Sequence, residues 1–140
     1  MTGGELAEAR AETRASQFKR SLVESVPMHS TAEVATLLGI SGAAVRKRQI
    51  TGKLLAVRPT YRWRFPAWQL VSRVSSRHKV TIPGLERVLA AFPMTNPWVQ
   101  LSLLMAPLDR QEGRNIAELL GTGALDAAVD IIGSYGSHGA

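Results

Sequence analysis

The sequence predicts a mainly α-helical fold: a helix-turn-helix unit with a small β-hairpin wing, followed by a small helical domain. Three observations predict it. Two capped, apolar helical segments abut across one glycine, Gly39. Aromatic and arginine residues alternate strictly from Tyr61 to Phe65, the pattern of a strand with two unlike faces. Beyond Pro83, apolar residues recur at helical spacing between proline, glycine and asparagine stops. At 140 residues and 45% hydrophobic content, the chain is long and apolar enough to bury a core.

Residues 5–26 read as a helix, with Phe18, Leu22 and Val26 at i, i+4 spacing. Its first half holds Leu6 as its single large apolar residue and is expected to fray without a partner. Pro27 ends it. Ser30 and Glu33 form a capping box ahead of Val34, Leu37 and Leu38, and Gly39 stops that helix. Ser41 caps the next, residues 42–49, with Val45 toward the core and Arg46, Lys47 and Arg48 on the remaining surface. Residues 54–57 and 61–65, broken by Arg58-Pro59-Thr60, form the expected hairpin. Its aromatic face (Tyr61, Trp63, Phe65) packs inward and its arginines (Arg62, Arg64) face out. Pro66 sits at a first helical position, and residues 72–81 read as a basic, polar linker.

Four helices complete the chain. Pro83 or Gly84 opens one containing Leu85, Val88 and Leu89. Asn96-Pro97 opens one with Trp98, Leu101 and Met105 on a stripe, ended by Pro107. Asn115 and Glu118 make another capping box before Ile116, Leu119 and Leu120, and the last helix covers residues 125–132. The division that follows is an N-terminal helix (1–26), a helix-turn-helix domain with wing and basic linker (27–80), a helical domain (81–133) and a glycine-rich tail (134–140).

Several function classes drop out. There is no cysteine, hence no disulfide scaffold, thiolate metal site or cysteine nucleophile. His29, His78 and His138 have no metal-ligand spacing, and neither a phosphate-binding glycine loop nor a nucleophile elbow occurs. No catalytic residue, metal or cofactor is therefore assigned. The sequence has no leader pattern, and its most apolar stretch, residues 101–108, is far short of the ~20 residues needed to cross a bilayer. The expected location is cytoplasmic.

Charge is distributed unevenly. The formal net charge is +6, yet residues 41–80 hold ten Lys/Arg and no acid, while residues 81–140 hold six acids and three bases. A basic block on a helix-turn-helix points to nucleic acid. The second helix would enter the major groove, with Ser41, Ala43 and Ala44 small enough for close approach and Arg46, Lys47 and Arg48 at bases or phosphates. Arg62 and Arg64 on the wing would hold phosphates, and Lys53 belongs to the same DNA-binding set. Trp98, Leu101, Leu104, Met105 and Leu108 exceed what one helix stripe of a small domain needs, which suits contact with a protein partner.

The ordered set Gly39-Ile40-Ser41, Gly52-Lys53-Leu54-Leu55-Ala56-Val57, Phe65-Pro66-Ala67-Trp68-Gln69, Pro83-Gly84-Leu85, Asn96-Pro97-Trp98, Leu103-Leu104-Met105-Ala106-Pro107-Leu108 and Glu118-Leu119-Leu120 resembles the Xre/MbcA/ParS antitoxin family. The resemblance runs from about residue 30 to 133. It departs after Gly113, where the family often has a proline-bearing segment and this chain has Arg114-Asn115-Ile116; residues 1–26 match nothing in it. The resemblance implies a DNA-binding N-terminal part that represses its own operon, with operator DNA as one partner. It implies a C-terminal part that silences a cognate RES-domain toxin, an NAD-degrading enzyme, by blocking its active-site entrance. Carried over by position, the toxin-binding residues are Leu125, at the start of the last helix, and Ser134, Tyr135 and His138; Trp98, Leu101 and Met105 of the apolar stripe complete the expected toxin-binding set. Symmetric operator binding implies a homodimer, or a higher hetero-oligomer with the toxin. The alternative is a stand-alone regulator, excisionase- or MerR-like, whose C-terminal helices dimerise it.

Overall fold

Local capping sets most of the helix boundaries in the computed structural model, which describes residues 2–135. Helix α1 (Gly3–Ser25) starts at Thr2, whose hydroxyl accepts the Glu5 N–H while the Glu5 carboxylate accepts the Thr2 N–H. None of its residues is buried. It is nevertheless continuous through the half expected to fray. Its attachment to the body lies at its end, through half-buried Leu22 and Val23 and buried Val26.

Strand β1 (Met28–Ser30) leads into helix α2 (Thr31–Leu38), where Ser30 and Glu33 form the expected capping box. Gly39 ends α2 at φ +70°, a conformation that costs an L side chain but not glycine. Ser41 caps helix α3 (Gly42–Ile50), its hydroxyl accepting the Ala44 N–H at 3.1 Å. Three residues thus separate two short helices that pack on each other through Val34, Leu38 and Val45.

The segment after α3 departs from the expected hairpin. Leu54, Leu55, Ala56 and Val57 are all buried, but they form no strand. The hairpin contracts to one antiparallel bridge, Val57 to Arg64, with reciprocal hydrogen bonds of 2.9 and 2.7 Å. Strand β2 (Arg64–Pro66) pairs instead with β1, Phe65 opposite His29. The reason is burial: Phe65 and Pro66 are driven inward and carry the strand against β1. The aromatic face is likewise incomplete, since Phe65 is buried, Trp63 half-buried and Tyr61 92% exposed. Arg64, expected to face out, is half-buried.

A 3-10 turn (Ala67–Gln69) stands where a helix start was expected, and it delivers Gln69 to the interior. The Gln69 side chain is 0% exposed. Its Oε1 accepts the Leu55 N–H and its Nε2 donates to the Leu55 carbonyl, both at 2.8 Å. The Gln69 main-chain carbonyl accepts the Ile82 N–H at 2.7 Å. Residues 72–81 are not a linker: strand β3 (Leu70–Val71) pairs with strand β4 (Val80–Thr81), so 72–79 form a hairpin loop and 80–81 one of its strands. Helices α4 (Leu85–Ala91), α5 (Pro97–Met105), α6 (Ile116–Gly121) and α7 (Leu125–Ser134) follow, with the expected caps at Asn96 and Asn115.

One cluster of buried side chains links Val34, Val45 and Phe65 to Leu85, Leu101, Ile116 and Ile132. The packing therefore runs without a break across residues 80 and 81. Among the described residues, no helix is long and apolar enough to cross a membrane.

Replacing Gln69 by Ala orphans both peptide groups of Leu55 in the interior. At roughly 1–3 kcal/mol for each buried group left without a partner, Gln69→Ala is expected to lower stability by about 3 kcal/mol. Urea unfolding of the variant against the parent measures it, and an unchanged midpoint contradicts the clamp.

Candidate nucleic-acid interface

Helix α3 presents its cations by simple periodicity. Val45 is fully buried, so Arg46 and Lys47, next in the turn, are exposed and Arg48 is half-buried. Ser41 and Ala43 are exposed at the N-terminal end and Ala44 is half-buried. Lys53 and Arg62 are exposed in the segments after α3. Arg64 lies in β2, its backbone held by Val57 on one side and Ser30 on the other. The predicted residues on α3 therefore share one element, and Arg64 is tied to the body of the fold.

Arg46 has a partner that the sequence did not disclose. Its guanidinium carbon lies 4.9 Å from the centroid of the Trp63 ring, and that of Arg58 lies 5.2 Å from the same centroid. Such contacts contribute about 0.5–1 kcal/mol at exposed sites and restrict a long side chain to a few orientations. The sequence pattern puts Arg58 in the break between two strands and Trp63 on the packed face. The alternation of residues 61–65 placed Trp63 beside arginines in sequence, but the partners come from α3 and from the loop.

The electrostatics are one-sided. Among the described residues, none of the ten Lys/Arg of residues 41–80 is within ion-pair distance of a carboxylate; Arg87 pairs with Asp126, and His29 Nδ1 lies 3.5 Å from the Glu33 carboxylate. Their charge is thus uncompensated by the protein, which suits a polyanion. The Glu33 carboxyl is held below its ordinary value, first by the Ser30 backbone N–H, then by the Ser30 hydroxyl and by His29. Among the described residues, no three His, Asp or Glu side chains gather into a group able to hold a metal.

The residues carried over for a protein partner are spread over two helices. Trp98 is half-buried at the start of α5, with Lys19 Nζ of α1 5.4 Å from its ring centroid. Leu101 is 0% exposed, because the α5 stripe that sequence assigns to a partner is the one that packs on the core. It is a core residue. Met105 is half-buried at the far end of α5. Leu125, at the start of α7, fits against Gly84, where an added Cβ would come within 2.5 Å of it. Ser134 is exposed at the end of α7, its hydroxyl donating to the Ile131 carbonyl. Tyr135 is half-buried, and burial raises its hydroxyl above the ordinary value. Helix α6 packs on both α5 and α7. His138 lies outside the described residues. Comparison with protein-family models, with curated proteins and with solved structures finds no match for this chain.

Two measurements follow from this geometry. A double-mutant cycle of Arg46→Ala and Trp63→Leu, read by chemical denaturation, is expected to give a coupling of about 0.5–1 kcal/mol; strict additivity removes the stack. For Glu33, the folded carboxyl titrates below the unfolded one, so its stabilising effect is present above the unfolded value and lost as pH falls through the folded one. Glu33→Gln should therefore be destabilising at neutral pH and indistinguishable from the parent in strong acid, checked by thermal melts at both.

Proposed function

We propose that the protein is an antitoxin that also represses its own operon, with α2 and α3 as a helix-turn-helix that binds operator DNA. The observation that carries the DNA-binding half is the set of ten cations on and after α3 that have no carboxylate partner among the described residues. In this reading α3 lies in the major groove. Arg46, steadied by Trp63, and Lys47 meet base edges or phosphates, and Lys53, Arg62 and Arg64 hold phosphates. Ser41, Ala43 and Ala44 allow close approach, and Arg48 supports from the partly buried side.

The antitoxin half is supported by the ordered motifs between about residue 30 and 133 and by the charge of residues 81–140, which are acidic where the preceding part is basic. The toxin in this reading is a RES-domain enzyme that degrades NAD, inhibited by a block at its active-site entrance. Trp98, Met105, Leu125, Ser134, Tyr135 and His138 are the proposed contacts; buried Leu101 supports them from beneath. The working form is a cytoplasmic homodimer on DNA, or a larger assembly with the toxin. One observation favours a second reading, a stand-alone regulator with C-terminal dimerisation helices: those helices share the core of α2 and α3.

Binding of the full chain to DNA from upstream of its operon tests the first half. Arg46→Ala and Lys47→Ala are each expected to lower the salt slope of log K by about 0.9 if each loses one phosphate contact; unchanged affinity and slope remove α3 from the interface. For the second half, the neighbouring reading frame is induced with and without the intact chain while NAD and growth are followed. NAD collapse prevented by this protein establishes the antitoxin. A harmless neighbour, or toxicity without NAD loss, leaves the regulator.

A further inference from the structure

The loop between β3 and β4 is basic, exposed and fixed at the turn that positions α3. Residues 72–78 are all exposed, and Val74 is 93% exposed, so the tip does not fold back on the body. The loop and its margin carry Arg73, Arg77 and Lys79 with no acid, and none of the three is ion-paired. Its base is closed by the pairs Leu70–Thr81 and Val71–Val80. Within it the Arg73 carbonyl accepts the Ser76 N–H at 3.1 Å, and the Ser76 hydroxyl donates to the His78 carbonyl at 3.0 Å.

Two contacts key this loop to the α2–α3 turn. The Lys79 N–H donates to the Leu37 carbonyl at 2.8 Å, occupying an acceptor at the C-terminal end of α2. The His78 imidazole lies where a side chain on Gly39 would be, 2.7 Å from an ideal Cβ. Gly39 thus serves twice, through its positive φ and through the room it leaves for the ring. Ser41, the cap of α3, is two residues further on, at most ~7 Å along the chain. The His78–Lys79 end of the loop, with Arg77 next to it in sequence, is consequently held at the turn that leads into α3 by main-chain bonding and ring packing, and Arg73 lies on the same loop, which is closed by β3 and β4.

We propose that this loop is a second DNA-contacting element, with Arg73 and Arg77 on backbone phosphates flanking the groove that α3 occupies. The proposal rests on the DNA-binding reading of α3 and extends it to residues outside the helix pair and the 61–64 segment. Exposed arginines on a hairpin of fixed base position the duplex and carry no sequence information of their own. The loop therefore contributes affinity and register, and α3 contributes discrimination.

The test is the salt dependence of full-chain binding to two unrelated, fluorescein-labelled mixed-sequence duplexes, followed by anisotropy. Arg73→Ala/Arg77→Ala is expected to lower the slope of log K against log salt by about 1.8, two contacts at about 0.9 each, equally on both duplexes. Arg73→Lys/Arg77→Lys is expected to keep the slope. The control Arg10→Ala/Arg14→Ala removes the same charge from α1 and is expected to change nothing; an equal fall there assigns the effect to net charge and overturns the proposal. An unchanged slope for Arg73→Ala/Arg77→Ala beside a lowered one for Arg46→Ala/Lys47→Ala overturns the loop and leaves α3. If neither pair lowers the slope, the DNA-binding reading fails with it.

Discussion

The side-chain amide of Gln69 is the interaction on which the rest of the fold depends. Four consecutive residues after α3 are buried without a sheet to satisfy their peptide groups, and an unpaired buried peptide is costly. Gln69 answers Leu55 with both a donor and an acceptor, and Arg64 answers Val57 with its main chain. Two residues apart, these pairings treat the segment as a strand whose neighbour is half backbone and half side chain. Because the Gln69 carbonyl also takes the Ile82 N–H, one residue joins the end of α3, the 3-10 turn and the approach to α4. The path from the basic half of the chain to the C-terminal helices passes through it.

What the sequence disclosed was mostly local. Capping boxes at Ser30–Glu33 and Asn115–Glu118 need only residues three apart, and both are present in the structure. The Gly39 stop and the Asn96-Pro97 start are legible for the same reason. Pairings of distant segments left no such trace. Strand β1 meets β2 across a gap that includes α2 and α3, and each is three residues long, too short for alternation to show. Residues 61–65 alternate well, yet only Phe65 turns fully inward, since a single bridge does not impose a pleat on the whole run. The basic block was plain from counting. The stacking of Arg46 and Arg58 on Trp63 was not, because it joins three segments that meet only in the fold.

Continuity of the core limits how the two halves can influence one another. With Val45 of α3 and Leu101 of α5 in the same cluster, there is no linker to act as a hinge between a basic and an acidic body. Any coupling between the two faces within one chain has to pass through shared packing. The close fit of Leu125 against Gly84 ties the start of α7 to α4 and adds to that stiffness. Helix α1 is the exception, with no buried residue, joined through its C-terminal part and through Lys19 over the Trp98 ring.

The uncompensated charge of residues 41–80 also bears on how long the protein lasts. Like charges held together repel, and self-repulsion weakens the compact state that gathers them. An anionic partner relieves the repulsion and, by binding the folded form alone, draws the folding equilibrium toward it. The unoccupied molecule is then the one that opens more often, and opened chains are what cellular proteases remove. If α3 binds DNA as proposed, occupancy of the basic face converts into turnover, with free copies cleared sooner than bound ones.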